Sequence, residues 1–276
     1  MFNRDDLLEQ LGSSHTKKIV ERFEKFAYIP TGIINELSNL ALQEDWGKNL
    51  FVLKKYIAVH VPWSIETHAY TFNRDQFYVT AGHLQTRYGT PIYLVFEKNR
   101  NPNMQPWVLK KASTDIYAPD FPLPPSIPLP PQIEKGAEIV MSHDHILGDN
   151  EDRVSFLKDA PPVAQMCAVS GSIQWSINRS LQFSYWYYGR MNYLVPLYLR
   201  DREDITKQPD VIATVQVNSD NLRVRTVLAP YMPYANARMA VKRHDQLPPW
   251  LLDSWRDYSS KLSEDQLEDP EQNDVN

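Results

Sequence analysis

The sequence predicts an α+β fold, a mostly antiparallel sheet covered by helices within a single large domain over residues 1–263. Three observations predict it. Apolar residues recur at helical spacing through the first sixty residues, then give way to short aromatic and β-branched runs between turn residues. A proline-dense stretch from Pro119 to Pro131 follows, and beyond it the strand pattern returns between Leu181 and Ala229.

The helical cap is expected over residues 1–60. Asp5 and Asp6 can cap a short helix through Leu11, broken at Gly12, Ser13 and Ser14. From His15 to Ala27 the set Ile19, Val20, Phe23, Phe26 and Ala27 forms one packing face, and Pro30 ends the helix. Ile34, Leu37, Leu40 and Ala41 mark a second short helix, and Leu50, Leu53 and Ile57 a third from Lys48 to Val59.

Residues 61–118 read as a sheet region. Tyr70–Phe72, Phe77–Thr80, Pro91–Phe96 and Trp107–Lys110 are strand-like runs in an antiparallel meander. The prolines at 119–131 force an extended polyproline conformation, a stiff strap between two parts of the sheet system. It is also a candidate ligand for a proline-binding protein partner.

A second sheet and helix region is expected over 132–263. Ile139–Met141 leads into a polar block holding His143, His145, Asp149, Asp152 and Arg153. Pro161 and Pro162 open a helix with Met166, Ser170, Ile173 and Ile177 on one face, and Cys167 just off it as a small core or near-core residue. Leu181–Tyr188 alternates, one aromatic row facing the core and the other outward, with Gly189 and Arg190 as a two-residue turn. Pro196 pushes the next strand to an edge or a bulge. Val211–Val217 and Leu222–Ala229 form a hairpin, with Leu222, Val224, Thr226 and Leu228 inward and Arg223 and Arg225 together outward. Tyr234–Val241 reads as a helical turn and Trp250–Trp255 as a short docking helix. Residues 264–276 are expected to be a disordered acidic tail.

A single cysteine excludes a disulfide framework and any multi-thiolate metal site. The charged start of the chain and the lack of a long apolar run predict no membrane segment, so the expected compartment is the cytoplasm. A net charge of −5 argues against a sequence-blind nucleic-acid coat. Locally the balance differs: residues 179–243 carry ten basic side chains against five acidic ones, so a confined anion site is still compatible with the acidic whole.

The adjacent Arg223 and Arg225 require either an anion or a cross-strand acid between them. His143, His145, Asp149 and Asp152 invite a metal reading that lacks a third ligand, so no metal is assigned. His145 is the candidate acid/base. Arg153 and Arg238 are candidate anion ligands, Asn150 and Asn236 could read a base edge, and Tyr185 or Trp186 could stack on it. No phosphate-binding loop, dinucleotide glycine fingerprint, nucleophile elbow or zinc-protease helix occurs, and the sequence leaves any cofactor unknown.

Several blocks carry a family resemblance. They are Phe26–Pro30 with Leu40–Trp46, Gly82–Glu97, His145–Asn150 with Arg153, Gly189–Leu199, Arg225–Leu228 and Tyr234–Arg238. In order and spacing the chain resembles the uncharacterised domain-of-unknown-function family 3825. The resemblance implies a single large domain without established chemistry, in a family whose members are at times fused to RNA-binding modules. Three readings follow: an RNA or single-strand-binding domain, an enzyme acting on a nucleotide or RNA end through His145, and a protein-interaction scaffold using residues 119–131. The candidate partners are accordingly RNA or a nucleotide, and a protein at the strap.

Overall fold

Among the described residues two five-stranded sheets, each with its own helices, carry the architecture, and the fold class is α+β. The computed structural model describes residues 4–12, 19–134, 136–187 and 189–262, so the expected tail from 264 lies outside the described residues. Each sheet belongs to its own compact unit. The first runs to Ile127 with Lys242–His244 added, and the second comprises Pro128–Val241 and the residues from Asp245.

In the first unit, α1 (Arg4–Leu11), α2 (Ile19–Phe26), α3 (Thr31–Leu40) and α4 (Phe51–Glu66) accompany β1 (Ala27–Tyr28), β2 (Tyr70–Asn73), β3 (Gln76–Gln85), β4 (Pro91–Lys98) and β5 (Trp107–Ser113). The expected meander is present as β2-β3-β4-β5, all antiparallel. Missing from the sequence reading is β1, which pairs in parallel with β5 through Ala27 opposite Trp107. α4, expected to end at Val59, runs on through Pro62 to Glu66 and is buried on nearly every side. The core joins helix to sheet where Phe23 and Phe26 of α2 pack against Phe96, Phe77 and Trp107. Within the sheet Phe77 and Phe96 stack at 4.6 Å, with Trp107 edge-on to Phe77.

After β5 the strap has no regular hydrogen-bonded structure as far as Glu134. Pro122 and Pro125 are buried, and His83 Nε2 donates to the Pro125 carbonyl at 2.9 Å. These two prolines, three residues apart, face inward, whereas Leu123 between them is 76% exposed.

The second unit holds β6 (Glu138–Met141), α5 (Pro162–Ile177), β7 (Phe183–Tyr187), β8 (Arg190–Leu197), β9 (Val211–Val217), β10 (Asn221–Leu228), α6 (Tyr234–Met239) and α7 (Pro249–Ser259). The strand order is β6-β10-β9-β8-β7, with β6 parallel to β10 and the rest antiparallel. One sheet face packs on α5: Val195, Val215 and Val224 cluster with Val169 and Ile173. The buried stripe of α5 is Val169, Ser172, Ile173 and Ser176, rotated from the expected one, and Cys167 is exposed, not near the core. The two serines explain the error: Ser176 Oγ donates to the Pro196 carbonyl at 2.6 Å, so a polar residue takes a position that hydrophobicity alone assigns elsewhere.

Two strand expectations also change. Arg190 belongs to β8 and pairs with Tyr187, so it is a strand residue and not part of the expected Gly189–Arg190 turn; Tyr188 lies outside the described residues. Pro196 sits in a strand with neighbours on both sides, but the β7 pairing ends at Leu194, so the missing N–H falls beyond that ladder. Among the described residues no helix is long and apolar enough to cross a membrane.

Candidate functional site

The polar side chains of the second unit are arranged by the register of its sheet. Asn218 and Asn221 close the β9–β10 turn, Asn218 N donating to the Asn221 carbonyl at 3.0 Å. From there alternation points Leu222 and Val224 toward α5 and Arg223 to the opposite face. The register then steps from Val224 opposite Val215 to Val227 opposite Ala213. This bulge sets Arg225 and Thr226 against the single residue Thr214 and returns Val227, instead of Thr226, to the core.

Pairings set Val140 and Gln216 beside Arg223, and Tyr185 beside Asn192, all on the face away from α5. Gln216 and Asn192 each lie one residue past the last β8–β9 pair, Tyr193 opposite Val215. Arg190 shares that face. The face runs from solvent to interior, since Arg223 and Arg225 are exposed and Gln216 half-buried, whereas Asn192 is 6% and Tyr185 2% exposed. Neither Arg223 nor Arg225 has an ion-pair or hydrogen-bond partner among the described residues, and the same holds for the Arg190 side chain. The cross-strand acid that the sequence allows for is not there: Gln216 and Val140 flank Arg223, and Glu138 lies opposite Asn221 without an ion pair.

Tyr185 and Trp186 point to opposite faces of β7 and both are buried, so among the described residues Trp186 is not part of an outward aromatic row. Tyr185 instead stacks on Tyr187, with centroids 5.8 Å apart. Neither Tyr185 nor Trp186 offers a ring to solvent.

His145 and Asn150 come together in the loop after β6. Ser142 N donates to the Val224 carbonyl, and a wide helical turn (residues 145–149) and a 3-10 turn (151–157) follow, anchored in the core by Ile146 and Val154. His145 Nδ1 lies 3.0 Å from Asp149 Oδ2, and Asn150 Nδ2 lies 3.3 Å from Nε2 while donating to the His145 carbonyl at 2.7 Å. A neutral ring protonated on Nδ1 satisfies both contacts, donating to the carboxylate and accepting from the amide. Arg153 Nη1 donates to the Val227 carbonyl at 2.8 Å, which ties the loop to β10 just past its bulge. Among the described residues no three His, Cys, Asp or Glu side chains converge to hold a metal ion.

Asn236 and Arg238 lie elsewhere. They sit on α6, which packs against β7 at the other edge of the sheet. Both are buried, and Arg238 Nη1 donates to the Val241 carbonyl at 3.0 Å. β7 and β10 are three strand spacings apart, about 14 Å. The candidate residues therefore form three groups: His145, Asn150 and Arg153 at the β6 end, Arg225 on the exposed face, and Asn236 and Arg238 under α6.

A family model described as a domain of unknown function, DUF3825, matches residues 37–247. The chain belongs to this family. No curated protein and no solved structure matches it. The DUF3825 span takes in every strand except β1, and so includes the whole arginine-bearing face of the second unit. Within it Gln216 and Asn192, which share the Arg223 face, escaped the sequence reading. Their signal, alternation in β8 and β9, becomes informative only once the register is known.

Proposed function

We propose that the second unit of this DUF3825 chain binds single-stranded nucleic acid, RNA foremost, along the sheet face that carries Arg190, Arg223 and Arg225. One observation carries the reading: three guanidinium groups share a sheet face with no acid paired to them among the described residues. Arginines so placed repel one another unless an anion lies between them, and a phosphodiester backbone supplies anions at regular intervals. Gln216 beside them adds an amide for a base edge or a ribose hydroxyl. The acidic charge of the whole chain fits a confined strip better than a coat. The test is fluorescence anisotropy with labelled single-stranded RNA, single-stranded DNA and duplex across a salt series. Salt-dependent binding to single strands that weakens in Arg223→Ala and Arg225→Ala supports the reading; binding unaffected by salt or by both substitutions ends it.

The His145–Asp149 pair favours a second reading, an enzyme acting on a nucleotide or RNA-end phosphoester with His145 as acid/base. It is the weaker one because Nε2, the nitrogen that would meet substrate, faces Asn150. Arg238, its second phosphate clamp, is only 1% exposed. Incubation with nucleotide and capped-RNA panels separates the two, since turnover lost in His145→Ala supports the enzyme.

A further inference from the structure

We propose that the first unit contains a binding site for a small amphipathic zwitterion, a free α-amino acid with an apolar side chain. A cavity of about 410 Å³ opens beside α2, β1, α3 and α4, large enough for a small ligand. Its floor is apolar: Phe23, Ala27, Ile34 and Ala58 line it and each is at most 3% exposed. Its rim is charged. Glu24 from α2 and Lys54 from α4 both line the opening, both are exposed, and neither has an ion-pair or hydrogen-bond partner among the described residues.

A carboxylate and an ammonium thus face one opening without neutralising each other. A purely anionic ligand would meet Lys54 but lie beside Glu24, and a purely cationic one would have the reverse problem. A zwitterion satisfies both, its carboxylate toward Lys54 and its ammonium toward Glu24, while its side chain takes the apolar floor. Gln105 on the same lining adds an amide for the ligand's remaining hydrogen bonds. This site lies in a different unit from the arginine face and is independent of the nucleic-acid reading. Phe23, Glu24, Ala27 and Ile34 precede the matched family span, so the cavity is built largely by residues outside it.

Calorimetric titration of the full chain with L-phenylalanine and L-leucine tests this, beside phenethylamine and 3-phenylpropionate, which each carry one of the two charges. Saturable one-site binding of an amino acid is expected, with each singly charged analogue about tenfold weaker or more. Lys54→Met should weaken the amino acid and 3-phenylpropionate but not phenethylamine, and Glu24→Gln should do the converse. Both substitutions are at exposed positions, and circular dichroism verifies that the variants fold. Absence of saturable binding at millimolar ligand overturns the proposal. So does an analogue that binds as tightly as the amino acid, or an affinity that neither substitution moves.

Discussion

Arg153 and Val227 are joined by a 2.8 Å bond from guanidinium to backbone carbonyl although 74 residues separate them. The bond fastens the loop holding His145 and Asn150 to β10, beside the bulge that brings Arg225 and Thr226 to the outer face. Shape at the bulge and order in the loop are therefore linked. Arg153→Met keeps the aliphatic length and removes the charged donor, leaving the part-buried Val227 carbonyl with the longer 3.3 Å bond from Thr226 Oγ1. A loss of about 2 kcal/mol in urea unfolding is expected, as for hydrogen bonds with a charged donor. An unchanged midpoint would show that water replaces the guanidinium without cost.

Arg223 and Arg225 make no contact that holds the fold together, so replacing them leaves the urea midpoint in place while changing ligand binding. For a single-stranded ligand each lost phosphate contact lowers the slope of log affinity against log salt by about 0.7. Anisotropy on Arg223→Ala, Arg225→Ala and the double variant should show this loss once, once and twice. A slope identical to that of the parent chain moves the nucleic acid off this face.

Asn150 is 5% exposed and bridges the His145 backbone carbonyl and ring. Asn150→Ala removes both side-chain contacts, with an expected cost of about 1–3 kcal/mol. Thermal unfolding checks the magnitude. A loss near zero would mean that the loop does not need this bridge.

How much could be read in advance follows from the range of the interactions. The meander β2 to β5 was legible because alternation and turn residues are local signals. Two pairings were not: β1 is two residues long and β6 four, and each joins its sheet by parallel pairing with a strand about eighty residues later. The Arg223 and Arg225 pair was visible from spacing, but their lack of an acid partner depends on cross-strand neighbours. The bulge escaped because Thr226 fits the alternation as well as Val227 does. Glu24 and Lys54 come to line one cavity only through the packing of two helices, for which neither helix alone carries a mark.

Burial raises the pKa of the Tyr198 hydroxyl to about 12 from 10.0, with Asp204 adding to the effect. The hydroxyl donates to the Ile205 carbonyl at 2.7 Å, a bond available only to the neutral form. Folding therefore favours protonated Tyr198. Its stabilising contribution is complete below pH 10 and is lost as pH rises toward 12. Tyr198→Phe should be less stable than the parent chain at neutral pH, with the gap narrowing between about pH 10 and 12. Paired urea titrations at fixed pH values measure it, and a constant gap would refute the linkage.

Gly82 and Gly89 allow backbone strain to be separated from crowding. Both have positive φ, +56° and +80°. A Cβ at Gly89 would meet only Gln85 Oε1 at 3.7 Å, whereas one at Gly82 would lie 2.7 Å from the Tyr56 hydroxyl and 2.8 Å from His60 Cγ. Neither neighbour of Gly82 can retreat: Tyr56 and His60 are wholly buried and stacked at 4.0 Å, and the Tyr56 hydroxyl accepts the His83 backbone N–H at 2.9 Å. Gly89→Ala should then cost about 1 kcal/mol for the left-handed conformation alone. Gly82→Ala adds overpacking of roughly 1–3 kcal/mol and the disturbed Tyr56 bond, for a total of about 3 kcal/mol or more. Urea unfolding of the two variants side by side decides the matter. Equal losses would mean that the Tyr56–His60 stack yields to the methyl group, and that close packing of α4 on β3 is not what makes glycine necessary at residue 82.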